Sequence, residues 1–185
     1  MSAQTAGLDP VGTTTTFDTD GELLPLVLRP YREHCKYMKS ASLSAGPGPH
    51  EVTVSGEFEI GESCYIDDTG HFNAVEFNIC YNQMAYYLIA KSVREGVLPV
   101  FQDWSLEDFW RLQLPNILIT SFRSRFKREM RGKRFFGSVT LTDTARLEKS
   151  ERWNPLIVLY TTCRFWDETG GDSHGEARIA ITDPV

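Results

Sequence analysis

From Glu51 onward, polar and apolar residues alternate. Val52, Val54, Phe58 and Ile60 fall on one side of the chain, and Glu51, Thr53, Ser55, Glu57 and Glu59 fall on the other. A period of two is that of a half-buried strand. If the alternation survives Gly61, Glu62 and Cys64 join the apolar side and Tyr65 lies opposite; a bulge at Gly61 reverses this, so the sidedness of Glu62 and Tyr65 stays open. A turn follows at 67–70 (DDTG). Residues 71–96 (HFNAVEFNICYNQMAYYLIAKSVREG) hold no internal Gly or Pro and close with Lys91, Arg94 and Gly96, which are helix-end signals. Val75, Phe77, Ile79, Met84, Leu88, Ile89 and Val93 place apolar groups on nearly every side, which predicts a largely buried helix.

Around these two elements the rest of the chain falls into place. Residues 1–20 are polar, with Gly, Pro and a threonine run, and predict a mobile tail before a single domain over 21–185. Residues 22–28 are apolar and run into Arg29-Pro30-Tyr31, where proline limits helix continuation. Residues 44–50 (SAGPGPH) predict a loop. Ser105-Leu106-Glu107-Asp108 resembles a capping box that opens a second, shorter helix. After Pro115 the pattern predicts strands over about 117–126, 135–142, 156–165 and 176–181. Strands, a long buried helix, a short helix and a strand meander point to an α+β domain with an antiparallel sheet around one helix. A doubly wound fold is excluded, because no helices separate the last strands.

Composition narrows the function classes. The 185 residues, 41% of them apolar, suit one domain with a proper core. No run of 18 apolar residues predicts a membrane span, and no basic start leads into an apolar stretch, so a cytoplasmic location is expected. The four cysteines (Cys35, Cys64, Cys80, Cys163) form no CxxC pair, and His34, His50, His71 and His174 lack metal-ligand spacing; reduced, buried thiols and no metal are expected. A net charge of −6 argues against nucleic acid as the main partner. Residues 123–134 (RSRFKREMRGKR) are nonetheless strongly basic, with Glu129 the single acid. Arginine forks there suit the phosphates of coenzyme A or an acidic carrier protein, although a solvated basic hairpin guarding a sheet edge explains them as well.

Polar residues on a buried helix need partners or a purpose. At about 100° per residue, Asn78 and Asn82 share one face, whereas Asn73, Glu76 and Gln83 share another, roughly opposite. They cannot all line one pocket within a subunit, and either set can face solvent or a subunit interface. The helix start favours developing negative charge, so a carbonyl oxygen placed near residues 71–74 is polarised. His71 suits an acid or base near neutral pH, or simply a hydrogen bond in its turn. Glu62 is a candidate base if it faces the core and a surface acid if it does not. Asp143, Glu148 and Glu151 read as solvated turn residues. There is no GxSxG elbow and no Cys–His signature, so positioning and polarisation suit this chain better than a covalent intermediate.

Six segments, 28–37 (LRPYREHCKY), 60–66 (IGESCYI), 69–76 (TGHFNAVE), 82–86 (NQMAY), 124–126 (SRF) and 165–171 (FWDETGG), together resemble the FcoT-like thioesterase family from about residue 22 to the C-terminus. The resemblance implies a hot-dog fold, an antiparallel sheet wrapped around a long central helix, assembled as a homodimer or higher oligomer. Members of the family were first described as long-chain acyl-CoA thioesterases. Others act in isonitrile lipopeptide biosynthesis, adding glycine to the β-carbon of a (2E)-enoyl group on an acyl carrier protein. Carried onto matching positions, the implied pocket residues are Tyr31, Tyr65, Asn73 and Asn82, with His71, Glu62 and Glu76 in the same motifs.

Glycine addition is the function expected on this basis; thioester hydrolysis of acyl-CoA or acyl-carrier substrates, and a non-catalytic carrier-binding module, are the alternatives. Asn82 and helix-start N–H groups are assigned the thioester oxygen, Tyr31 or Tyr65 the proton delivery, and Glu62 or His71 the base. Glu76 and Arg125 are assigned to the substrate, Arg125 as carboxylate clamp, and Arg123, Lys127 and Arg128 to the carrier or coenzyme A. No cofactor is expected beyond the phosphopantetheine that the carrier brings. Asn73 and Asn82, on opposing faces, are reconciled if Asn73 precedes the regular helix or if a partner subunit completes the pocket. Met84, Tyr86, Tyr87, Leu88, Phe109 and Trp110 set the depth available to the acyl chain, and their bulk implies a short or medium one.

Overall fold

The computed structural model describes residues 13–67, 69–151 and 154–185. Its alternating segments pair into one antiparallel sheet: β1 (Thr15–Phe17), β2 (Met38–Ala45), β3 (Val52–Phe58), β4 (Ile117–Arg128), β5 (Phe135–Leu147), β6 (Leu156–Trp166) and β7 (Asp172–Thr182). The strand order is β1-β2-β3-β5-β6-β7-β4. Three helices accompany them, α1 (Leu23–Leu28), α2 (Ala74–Glu95) and α3 (Leu106–Leu112). This is the α+β arrangement that the element order predicts. Among the described residues no helix is long and apolar enough to cross a membrane.

Helix α2 lies against the sheet and buries Phe77, Tyr81, Met84, Tyr87 and Leu88. It begins at Ala74, three residues later than the pattern predicts, and ends at Gly96, whose φ of 65° gives the left-handed cap that glycine adopts without strain. At its start Phe72, Phe77, Phe135 and Phe165 form a ring cluster, with centroids 4.8 Å apart for Phe72–Phe135 and 4.9 Å for Phe77–Phe165. The sheet makes room with glycine. A Cβ on Gly175 would stand 3.0 Å from Phe77 Cε1, so β7 approaches the helix there as backbone alone. The predicted capping box at Ser105 and Asp108 opens α3 as expected.

Several expectations are corrected. Residues 38–45 (MKSASLSA), poor in strand formers, are a strand because β3 supplies their hydrogen bonds from Ala45↔Val52 to Met38↔Phe58, with Ala41 and Leu43 buried. The loop predicted over 44–50 therefore begins two residues later, at Gly46. Within the expected tail, Thr15–Phe17 pair with β2, and Asp20 meets Lys91 at 3.2 Å and Arg94 at 3.0 Å; residues 1–12 lie outside the described residues. Asp143 sits within β5 rather than in a turn, because that strand continues past a register shift as far as Leu147.

Candidate active site

The alternation that begins at Val52 stops at Phe58, and residues 59–67 and 69–73 lie outside helix and strand on the way to α2. Ile60 N–H donates to the Gly132 carbonyl at 2.9 Å and Phe72 N–H to the Met130 carbonyl at 2.8 Å, so both ends of this loop hang from the connection between β4 and β5. The sidedness of Glu62 and Tyr65 is thereby settled. Both are exposed, Tyr65 by 55%, because no strand carries them inward. The Glu62 backbone carbonyl accepts the Tyr37 hydroxyl at 3.2 Å.

Asn73 is the N-cap, extended at φ −114° and ψ 177°, and so precedes the regular helix. Its Oδ1 accepts the N–H groups of Val75 at 2.9 Å and Glu76 at 3.2 Å, while Glu76 Oε2 accepts the Asn73 N–H at 3.2 Å. A helix start leaves four N–H groups without intrahelical partners. Here three are taken, and the Ala74 N–H is the one this capping box leaves over. The Asn73 Nδ2 is sealed from solvent and has no hydrogen-bond partner among the described residues, a state that costs about 1–3 kcal/mol. His71, Phe72, Asn73, Ala74, Phe126 and Glu129 line a cavity of about 460 Å3 at this point. His71 is exposed, with Nδ1 3.0 Å from the Thr69 carbonyl. Of the two candidate bases, His71 is the one beside the cavity.

Glu76 is buried and completes the helix cap; Tyr37, buried beside it, escaped the sequence reading although it lies within the quoted 28–37 segment. Burial, then the nearby Cys64 and Cys35 thiols and the Glu76 carboxyl, push the Tyr37 phenol above its ordinary range. Tyr31 is half-buried against the core; burial, then Tyr86 and Cys80, push its phenol up as well. At neutral pH both phenols keep their protons and can donate them.

Two assignments made from sequence do not survive within one chain. Asn82 lies nine residues beyond Asn73, about 14 Å along the helix axis, too far to share one carbonyl oxygen with the helix start. Its Nδ2 donates to the Asn78 carbonyl at 3.0 Å and to Asn78 Oδ1 at 2.9 Å. Gln83, also buried, is satisfied elsewhere: its Nε2 donates to the Cys35 carbonyl and its Oε1 accepts the Met38 N–H. Arg125 is the second. The register of β4 against β7 shifts between Ile119 and Ser121, which turns Phe122 and Phe126 toward the rings of α2 and sends Arg123 and Arg125 to the other side. Arg123, Arg125 and Lys127 share a concavity on that outer face with Arg164, His174 and Glu176. Arg128 lies further along, beside the Asp167–Gly171 turn. Arg125 is therefore not a clamp for a substrate held at the start of α2 in the same chain. Among the described residues no group of three or more His, Cys, Asp or Glu side chains is arranged to hold a metal ion.

The FcoT-like thioesterase domain matches this chain over residues 26–181, from within α1 to the end of β7. The chain belongs to that family. A relative from Streptomyces coeruleorubidus, a (2E)-enoyl-ACP glycyltransferase, is 47% identical over 165 residues, covering 89% of this chain and 98% of its own. One of the same description from Mycobacterium tuberculosis is 38% identical over 160 residues, 86% of this chain and 85% of its own. Among solved structures, thioesterase superfamily member 2 from Mus musculus superposes with a TM-score of 0.50 at 8% identity, covering 86% of this chain and 92% of its own. That likeness bears on the fold alone. The FcoT-like chain has the hot-dog fold, a sheet folded about α2.

Proposed function

We propose that this enzyme joins the amino nitrogen of glycine to the β-carbon of a (2E)-enoyl thioester presented on an acyl carrier protein. What supports the reading most is the 47% identity, over 89% of the chain, to a relative of that named activity. The site offers chemistry to match. As the neutral amine attacks the β-carbon, the double-bond electrons move onto the thioester oxygen as an enolate. The Ala74 N–H is a donor for that oxygen, the Asn73 amide becomes a second when substrate entry uncovers it, and the helix dipole acts in the same sense. His71, at the cavity rim, is the base that removes the ammonium proton of glycine. A proton reaches the α-carbon from a phenol, for which half-buried Tyr31 is the candidate, and the phenolate regains one from the His71 imidazolium, which completes the balance. Phosphopantetheine arrives on the carrier, and the addition as written needs no further cofactor. A carrier-bound substrate belongs in the cytoplasm, the compartment we assign.

The working unit in this reading is a homodimer paired along β4. That strand ends the sheet, its outer edge is unpaired among the described residues, and it exposes Leu118 and Phe126. Phe126 also lines the cavity, so a second copy on this edge would border the site and bring groups that one chain leaves distant.

The test is incubation with an enoyl carrier protein and labelled glycine. Label retained on the carrier is the expected result. Unlabelled free acid makes the protein a thioesterase, and an unchanged carrier overturns the enzymatic reading.

A further inference from the structure

The turn between β6 and β7 lies outside the cavity, yet it is tied to both ends of the loop that carries the candidate site residues. Asp167, buried at its head, accepts four hydrogen bonds. Three reach Oδ1 at 2.8 Å, from the Thr169 N–H, the Thr169 hydroxyl and the Gly171 N–H. The fourth reaches Oδ2 at 2.9 Å from the Arg131 N–H, in the connection between β4 and β5. The residues on either side of Arg131 are those from which the site hangs: the Met130 carbonyl holds Phe72, next to the Asn73 cap, and the Gly132 carbonyl holds Ile60, at the head of the Glu62–Tyr65 loop.

Two more contacts bind the same pieces. The Ser173 hydroxyl meets the Met130 sulfur at 3.2 Å. A Cβ on Gly171 would come 2.7 Å from both Asp167 Oδ2 and the Glu129 carbonyl oxygen, so this turn packs on residues 129–131 with backbone-to-backbone closeness. We infer that Asp167 is a positioning residue for the active site: through the Arg131 N–H it sets the conformation of residues 130–132, and so the placement of the Asn73 cap and the Ala74 N–H. Burial by itself would raise the Asp167 carboxyl, but the hydrogen bonds from Arg131, Gly171 and Thr169 outweigh it and hold the group below its ordinary range, ionised at neutral pH. An ionised acceptor makes the stronger bond, which suits a tie that must hold a peptide plane. The inference rests on the helix start being the reacting site.

The variant Asp167→Asn separates this role from simple stability. Three donors on Oδ1 keep that oxygen in place, so the new NH2 faces the Arg131 N–H, donor against donor, and the tie is cut while the turn is kept. Thr169→Val is the control, weakening the turn without touching Arg131. Asp167→Asn should lower kcat for glycine addition about tenfold or more, since a shift of about 1 Å in a positioned donor costs up to about 100-fold. It should also speed hydrogen exchange over residues 71–76 while β2 keeps its protection. Thr169→Val should keep kcat within about twofold and leave that exchange unchanged. Equal losses in the two variants, or an Asp167→Asn protein with unaltered kcat, overturn the inference. If the unmodified protein adds no glycine, the functional reading falls instead, and exchange decides alone: unchanged exchange over 71–76 in Asp167→Asn sinks the positioning role.

Discussion

Asn73 and Glu76 hold each other at the start of α2, each side chain accepting the other's backbone N–H at 3.2 Å. The Asn73 oxygen is thereby committed to structure, while its amide nitrogen has no partner among the described residues. The two halves of one side chain thus have separable roles. Asn73→Asp keeps the capping oxygen and removes the NH2. It should fold with a melting temperature close to the parent, since aspartate caps as well as asparagine, and lose about 100-fold in kcat. Asn73→Ala should lose activity and about 1 kcal/mol of stability together. Thermal melts beside carrier-loading kinetics check both; an active Asn73→Asp protein removes the amide from the mechanism.

Acid should loosen the N-terminal segment. Burial alone would raise the Asp20 carboxyl, but the Leu23 N–H, Lys91 and Arg94 outweigh it and hold the group below its usual range. A depressed carboxyl stabilises the fold above its unfolded value and loses that contribution as pH falls through the folded one. Asp20→Asn should therefore be less stable than the parent at pH 7, and the gap should close in acid. Lys91 keeps Glu95 at 2.7 Å, so the loss should stay below the about 3–5 kcal/mol of an uncompensated buried charge. Urea melts across pH measure the gap.

Gly175 tests the packing of β7 under the aromatic cluster. An added Cβ would meet Cys163 Sγ at 2.8 Å, the Arg123 carbonyl oxygen at 2.9 Å and Phe77 Cε1 at 3.0 Å. A backbone oxygen cannot swing aside as a side chain can. Gly175→Ala should cost about 1–3 kcal/mol, read as a fall in the denaturant midpoint with the slope unchanged.

The thiols should separate by accessibility. Cys35, Cys80 and Cys163 are buried and Cys64 is half-buried. Burial also pushes the Cys163 thiol up to about 12. An aromatic disulfide reagent on the native protein should label Cys64 first, and Cys80 and Cys163 only with unfolding, as peptide mapping would record.

The free edge of β4 should respond to charge. Leu118→Lys places an ammonium on the exposed part of that edge and should weaken self-association about tenfold or more in sedimentation experiments, with activity falling in parallel. A variant that associates as the parent does moves the interface elsewhere.

The sequence by itself determined what depends on near neighbours. The period of two over Val52–Phe58, the apolar helix closing at Gly96, the Ser105–Asp108 cap and the four later strands all stand, because side-chain periodicity and capping are written within a few residues. The Asn73–Glu76 box was written the same way, in an N-x-x-E pattern at 73–76, and would have placed the helix start at Ala74. Only the tertiary structure decided the rest. β2 is a strand because β3 lies beside it, not because Ser, Ala and Lys prefer one. Arg125 faces away from α2 because one register shift in β4, visible only against β7, turns the strand over. Asp167 reaches the site through Arg131, 36 residues away in sequence, a separation that no local pattern can encode. Hydrogen bonds between distant segments set which of the recognisable residues meet, and the sequence states those bonds only once the chain has folded.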